Sequence, residues 1–373
     1  MAGIYLHIPF CKQACHYCDF HFSTSLKLKD PLVQAILKEL EMQVDYLEGA
    51  AIETIYFGGG TPSLLSANDL EQIFTQIHRL YTVKPDAEIT LEANPDDIHA
   101  DQLQVWKTCG INRLSIGIQS FHEKDLAFMN RAHNAKEALA CIQLARNAGF
   151  ELLTIDLIYG SPVSSQAEWA ENLEIFRNLE LPHLSSYALT VEPGTALDQF
   201  IKKGKAPALD EEKAAQEFTY LISKMQEWGY EHYEISNFSL PGKYARHNTA
   251  YWFGTPYLGI GPSAHSFRPG FRQWNVANNP KYIKAIQADT LPFIQEVLSK
   301  DEQYNEYIMT RLRTQWGCAI QDIQDLGTAY FSHFRQQAAP FIRSKQLIQH
   351  QDAFILSPEA KFLADGIAAA LFI

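Results

Sequence analysis

The sequence predicts an α/β protein: a partial parallel (β/α)6 barrel followed by a smaller, mainly helical C-terminal region. Two observations predict it. Helices repeatedly end at a glycine that leads into an apolar strand, at Cys109-Gly110-Ile111, Ala148-Gly149-Phe150 and Trp228-Gly229-Tyr230. Glycine accepts the left-handed conformation that closes a helix without steric cost. Residues 113–118 and 152–158 are near-continuous apolar runs, as expected of parallel strands buried on both faces.

In order, residues 3–8 read as a strand that runs into a cysteine-bearing loop. Residues 30–46 form a helix, with Val33, Ile36, Leu37, Leu40 and Val44 on one face. A short buried strand at 53–57 ends in Gly58-Gly59-Gly60, and 66–81 is again helical. Residues 87–93 alternate as a strand, 100–109 are helical, and 113–118, 152–158 and 183–190 complete six strands alternating with helices. Residues 241–280 hold Gly, Pro, aromatics and His with little helical periodicity, which predicts loops or extra strands. Residues 301–313 are helical and 346–356 suggest a hairpin. No linker intervenes, so three packed regions are expected at 1–235, 236–300 and 301–373.

The 373 residues are 46% apolar and 20% charged, which excludes wholesale disorder. The net charge of −12 excludes a general nucleic-acid binder. The longest apolar stretch, 366–373, is far short of the ~20 residues that span a bilayer. The N-terminus lacks a basic stretch and cleavage site, so a cytoplasmic protein is expected.

Cys11-x3-Cys15-x2-Cys18 is the strongest signal. Three thiolates in one loop can wrap a soft metal centre. Zinc with His7, His16 or His21 as fourth ligand is one reading. A 4Fe–4S cluster with one iron left open is the other.

The run Tyr5-Leu-His-Ile-Pro-Phe-Cys11 through Cys18 resembles the cluster loop of the radical S-adenosylmethionine (SAM) superfamily. More narrowly, it resembles the subgroup of oxygen-independent coproporphyrinogen III oxidases and haem chaperones. The likeness extends to residues 305–313. It implies a 4Fe–4S cluster on Cys11, Cys15 and Cys18, and SAM on the open iron. It further implies SAM contacts from Tyr5, Tyr17, Gly59, Gly60, Thr61, Glu92, Gln119, Arg131 and Asp156. The residues support this independently: glycines after a strand let a ligand approach the backbone, an Arg fork suits a carboxylate, and a carboxylate within an apolar strand is costly unless paired. These positions fall near strand C-termini, where parallel barrels place their sites.

Two features divide the subgroup. The oxidase carries a fourth cysteine where this chain has Phe20, and an extension before the cluster for which residues 1–10 leave no room. His247-Asn-Thr-Ala-Tyr251-Trp252 matches the chaperones' HNxxYW motif: an imidazole to ligate haem iron and flat rings for the porphyrin, with Lys243 and Arg246 near for its propionates. The resemblance therefore implies a haem chaperone with haem as cargo and no assigned catalytic residue. Expected partners are a membrane-bound respiratory haem acceptor and an electron donor such as a flavodoxin or ferredoxin; a homodimer is left open. Coproporphyrinogen III oxidation, and a regulatory or assembly role for the cluster and SAM, are the alternatives.

Overall fold

A computed structural model describes all residues, 1–373. Six parallel strands form its centre in sequential order: β1 (Ala2–Ile8), β2 (Ile52–Gly59), β3 (Val83–Ala93), β4 (Arg113–Gln119), β5 (Leu152–Tyr159) and β6 (His183–Ala188). Beside β6 lie β7 (Glu231–Glu234) and β8 (Asn237–Ser239), with β8 antiparallel to both. Beyond β1 follow β9 (Tyr257–Ile260), β10 (His265–Arg268), β11 (Phe271–Asn275) and β12 (Phe293–Val297). β9 runs parallel to β1 and the rest antiparallel. The sheet has twelve strands, and its ends, β12 and β7, are not paired. The predicted α/β class holds. The 241–280 region forms strands β9–β11 and the helix Arg246–Trp252 in addition to loops.

Side chains alternate along each strand, and the two faces differ in kind. Ile4, Leu6, Ile55, Leu91, Leu114, Ile116, Leu153 and Ile155 point outward into a core shared with the surrounding helices. Thr54, Glu88, Thr90, Arg113, Ser115, Thr154, His183 and Ser185 occupy the alternate positions and are buried. The concave side is therefore polar. The strands are buried on both faces, as the sequence predicts, but one of those faces is polar.

Local sequence fixes the helix ends. Ser66 with Asp69, Asn134 with Glu137, Ser165 with Glu168 and Ser299 with Glu302 each form reciprocal capping boxes. Gly110, Gly149 and Gly229 have φ of 91°, 80° and 81°, the left-handed caps that the sequence predicts.

The C-terminal segment builds a second, 15-residue core from Tyr304 to Leu371. It combines the helices Lys300–Leu312, Ile320–Leu326 and Thr328–Arg343 with a three-stranded sheet, β13 (Cys318–Ala319), β14 (Leu347–His350) and β15 (Ala353–Leu356). β14 and β15 are the predicted hairpin. Ile235 packs against both cores, and Phe362 meets Phe218 with ring centroids 5.7 Å apart. These contacts hold the C-terminal segment over the strand ends.

Candidate functional site

A cavity of about 650 Å3 lies at the C-terminal ends of the parallel strands, and Cys11, Cys15 and Cys18 all line it. Their loop is pinned at several points. The Cys11 amide donates to Ser23 O at 3.0 Å, and the His16 amide to Met129 O at 3.1 Å. Asn130 Nδ2 donates to Ala14 O at 2.7 Å. Burial pushes the Cys18 thiol up to about 11 and raises Cys11 as well. Burial thus disfavours the Cys11 and Cys18 thiolates, and a cationic metal centre would offset the cost of ionising them.

The three histidines that zinc could recruit are engaged elsewhere. His7 Nε2 lies 3.0 Å from His21 O, His16 Nδ1 2.8 Å from Phe128 O, and His21 Nε2 2.7 Å from Asn279 Oδ1. No cluster of three or more His, Cys, Asp and Glu side chains closes tightly enough for one ion. The donor set suits a multinuclear centre held by three thiolates better than a four-ligand zinc site.

Beside the thiols the chain turns on glycines that its own packing requires. Gly59 has φ 106°, and a Cβ there would meet the His7 ring at 2.6 Å; at Gly60 it would stand 2.7 Å from Phe10 O. Arg131 is fixed by Nη2 bonds to Asn94 Oδ1 at 2.6 Å and Gly117 O at 2.7 Å, and its Nη1 stands 3.2 Å from Cys15 Sγ. Its Nε is buried without a partner, so guanidinium donors remain for an anion. Glu92 Oε1 accepts from Tyr56 OH at 2.7 Å. Burial raises Glu92 to about 7; burial and the Glu92 charge raise Asp156 to about 7. Gln119 closes β4 at φ 68°, a left-handed conformation uncommon outside glycine.

Of the SAM positions expected from sequence, Tyr17, Gly59, Gly60, Thr61, Glu92, Gln119, Arg131 and Asp156 line this one cavity. Tyr5 does not. Its hydroxyl stands 3.2 Å from His7 Nδ1 and its ring lies against Tyr56, one layer below. Asn94 and Tyr56 went unnoticed in the sequence, although Asn94 stands two residues from Glu92.

Sequence similarity follows the same residues. The profile of the Radical SAM superfamily matches residues 5–198. The haem chaperone HemW of Bacillus subtilis is 33% identical over 374 residues, covering 99% of each chain. That of Mycobacterium tuberculosis is 32% identical over 99% of this chain and 94% of its own. The chain belongs to the radical SAM superfamily, in the HemW family. HemW of Escherichia coli is 38% identical over 70% of this chain and 69% of its own. The structure of coproporphyrinogen III oxidase (HemN) from Escherichia coli superimposes with a TM-score of 0.87, over 100% of this chain and 90% of that one, at 21% identity. That likeness is one of fold.

Radical SAM membership implies a 4Fe–4S cluster and SAM, and the cavity's donors fit both. The HNxxYW residues lie elsewhere. The helix Arg246–Trp252 docks beside β2 and β3, where the Glu88 carboxylate accepts from the amides of Arg246 at 3.1 Å and His247 at 3.0 Å. His247 is 2% exposed. Its Nδ1 lies 2.7 Å from Thr54 Oγ1 and its Nε2 2.7 Å from Tyr251 OH, beneath the Tyr56 ring. The sequence names His247, Tyr251 and Trp252 as the haem-binding residues, and in this structure all three have protein partners. In this conformation both imidazole nitrogens are engaged, Tyr251 is consumed by one of them, and Trp252 lies against Arg313 at 5.7 Å. Arg246 turns away to Asp86 O at 2.7 Å.

Proposed function

We propose that the chain binds haem and delivers it to an acceptor protein, carrying a 4Fe–4S cluster on Cys11, Cys15 and Cys18 and SAM beside it. The observation that carries this reading is near full-length similarity to HemW chaperones, supported by Phe20 at the position of the oxidases' fourth cysteine. When bound, the cluster supplies the electron that cleaves the SAM sulfonium bond. The protein's own residues do the holding. Arg131 offers its remaining donors to the methionyl carboxylate. Glu92, Asp156 and the Gly59–Thr61 turn receive the amino group, whose charge favours the ionised carboxylates. Gln119 and Tyr17 wall off the cofactor from water.

The acceptor is taken to be a membrane-bound respiratory protein, and the reductant a flavodoxin or ferredoxin. No helix is long and apolar enough to cross a membrane, so contact with such an acceptor would be peripheral and transient.

The test is a haem titration of anaerobically reconstituted protein, followed through the Soret band. Saturation near one haem per chain supports the reading; no saturable binding removes it.

A further inference from the structure

We propose that the carboxylates of the bound porphyrin are held by Arg313 and Lys361, which the C-terminal segment hangs over the cavity. This rests on the haem reading above and gives the cargo a place that His247 does not offer. The cavity has two unlike walls. Its floor carries the thiols, Glu92, Arg131 and Asp156; its opposite wall is apolar, formed by Phe218, Ile235 and Phe362, and its charged groups are Arg313, Lys361 and Asp365. The floor is matched to a small zwitterion. The opposite wall is matched to a flat apolar body bearing carboxylates, the chemistry of a porphyrin.

Both cations are held in place with donors to spare. Lys361 Nζ donates to His232 O at 3.0 Å and forms no ion pair. The supporting His232 ring stacks on Phe238 at 4.1 Å and meets Phe218 edge-on at 5.9 Å, so that carbonyl belongs to a packed layer. Arg313 uses Nη1 on Asp365, leaving its other N–H groups free. Its guanidinium lies over Trp252, which links this wall to the HNxxYW helix. The carboxylates facing the pair are Asp365, exposed to solvent, and Glu234, buried and bonded to Asn237. Burial lowers Lys361 to about 8 despite Glu234, the mark of a cation short of counter-charge. An arriving carboxylate would supply it, and charge-assisted bonds of this kind are the stronger class.

The test compares haem with haem dimethyl ester, whose ring and iron are intact but whose carboxylates are masked. Wild-type protein, Arg313→Gln and Lys361→Gln are titrated after reconstitution, with iron content and SAM binding confirming that each is folded. Wild type is expected to bind haem at least tenfold more tightly than the ester. Each variant should lose about tenfold for haem and little for the ester. Equal affinity of wild type for haem and ester, or unchanged haem affinity in both variants, overturns this assignment alone. Failure of wild type to bind either porphyrin overturns the haem reading and the assignment with it.

Discussion

Glu88 is the residue whose loss should be felt most widely. Its carboxylate is 4% exposed and lies 3.5 Å from the Arg113 guanidinium, itself 2% exposed. It also accepts both leading amides of the Arg246–Trp252 helix. Glu88→Ala strands a buried cation, and breaking such a pair from one side costs about 3–5 kcal/mol. The two amides left without an acceptor add about 1–3 kcal/mol each, less whatever water enters the gap. A loss of roughly 5 kcal/mol is a large part of the ~5–15 kcal/mol that holds a typical domain. At about 2.1 cal/mol/K per residue, a chain of this length should lose about 6 °C in Tm. Glu88→Gln keeps one acceptor oxygen and should cost about half as much. In Glu88→Gln/Arg113→Met no charge is stranded, so the double variant should regain part of the loss. The assay is differential scanning calorimetry of wild type, Glu88→Ala, Glu88→Gln, Arg113→Met and the double variant in one buffer. A Tm within 1 °C of wild type for Glu88→Ala, or a double variant no better than the sum of its singles, would refute the reasoning.

Three further outcomes are expected. Alanine at Cys11, Cys15 or Cys18 should abolish the brown cluster and its acid-labile sulfide after anaerobic reconstitution, while alanine at the scattered Cys109, Cys141 or Cys318 should leave both intact. Glu92 and Asp156 are raised to about 7 by burial, so the folded protein without cofactor binds more protons than the unfolded chain between about pH 4 and 7. Their contribution is full at acid pH and falls as pH rises towards 7; the stability difference between wild type and Asp156→Asn should therefore shift against wild type from pH 5 to pH 8, and a flat difference would contradict it. His247→Ala removes two buried contacts at 2.7 Å and should lower Tm by several degrees, while haem affinity stays within threefold; a loss of the Soret shift in folded variant would reinstate His247 as the ligand.

Much of this architecture is written locally. The six strands, their glycine-capped helices and the Cys11–Cys18 loop depend on neighbours within a dozen residues, so periodicity and spacing expose them. The glycine turn is legible for the same reason: Gly58 and Gly59 end a strand and Gly60 follows it directly. The polar concave face was hidden because Ser115, Gly117 and Thr154 hardly interrupt an apolar run. The position of His247 could not be read, since Thr54 and Glu88, which bury it, lie 193 and 159 residues away along the chain. Lys361 and Phe362 carry no motif at all. They join the cavity only because a second core, distant in sequence, packs over the strand ends. Strands β9–β12 are four or five residues long and separated by segments that hold Gly and Pro, too short for alternation to declare itself.

The distinction between carrying a porphyrin and oxidising one is the centre of the account. The reconstituted protein, given SAM and a low-potential reductant without oxygen, should be offered coproporphyrinogen III and haem in parallel, with products resolved by chromatography. The account predicts stoichiometric haem binding and no protoporphyrinogen IX. Catalytic formation of protoporphyrinogen IX would contradict it.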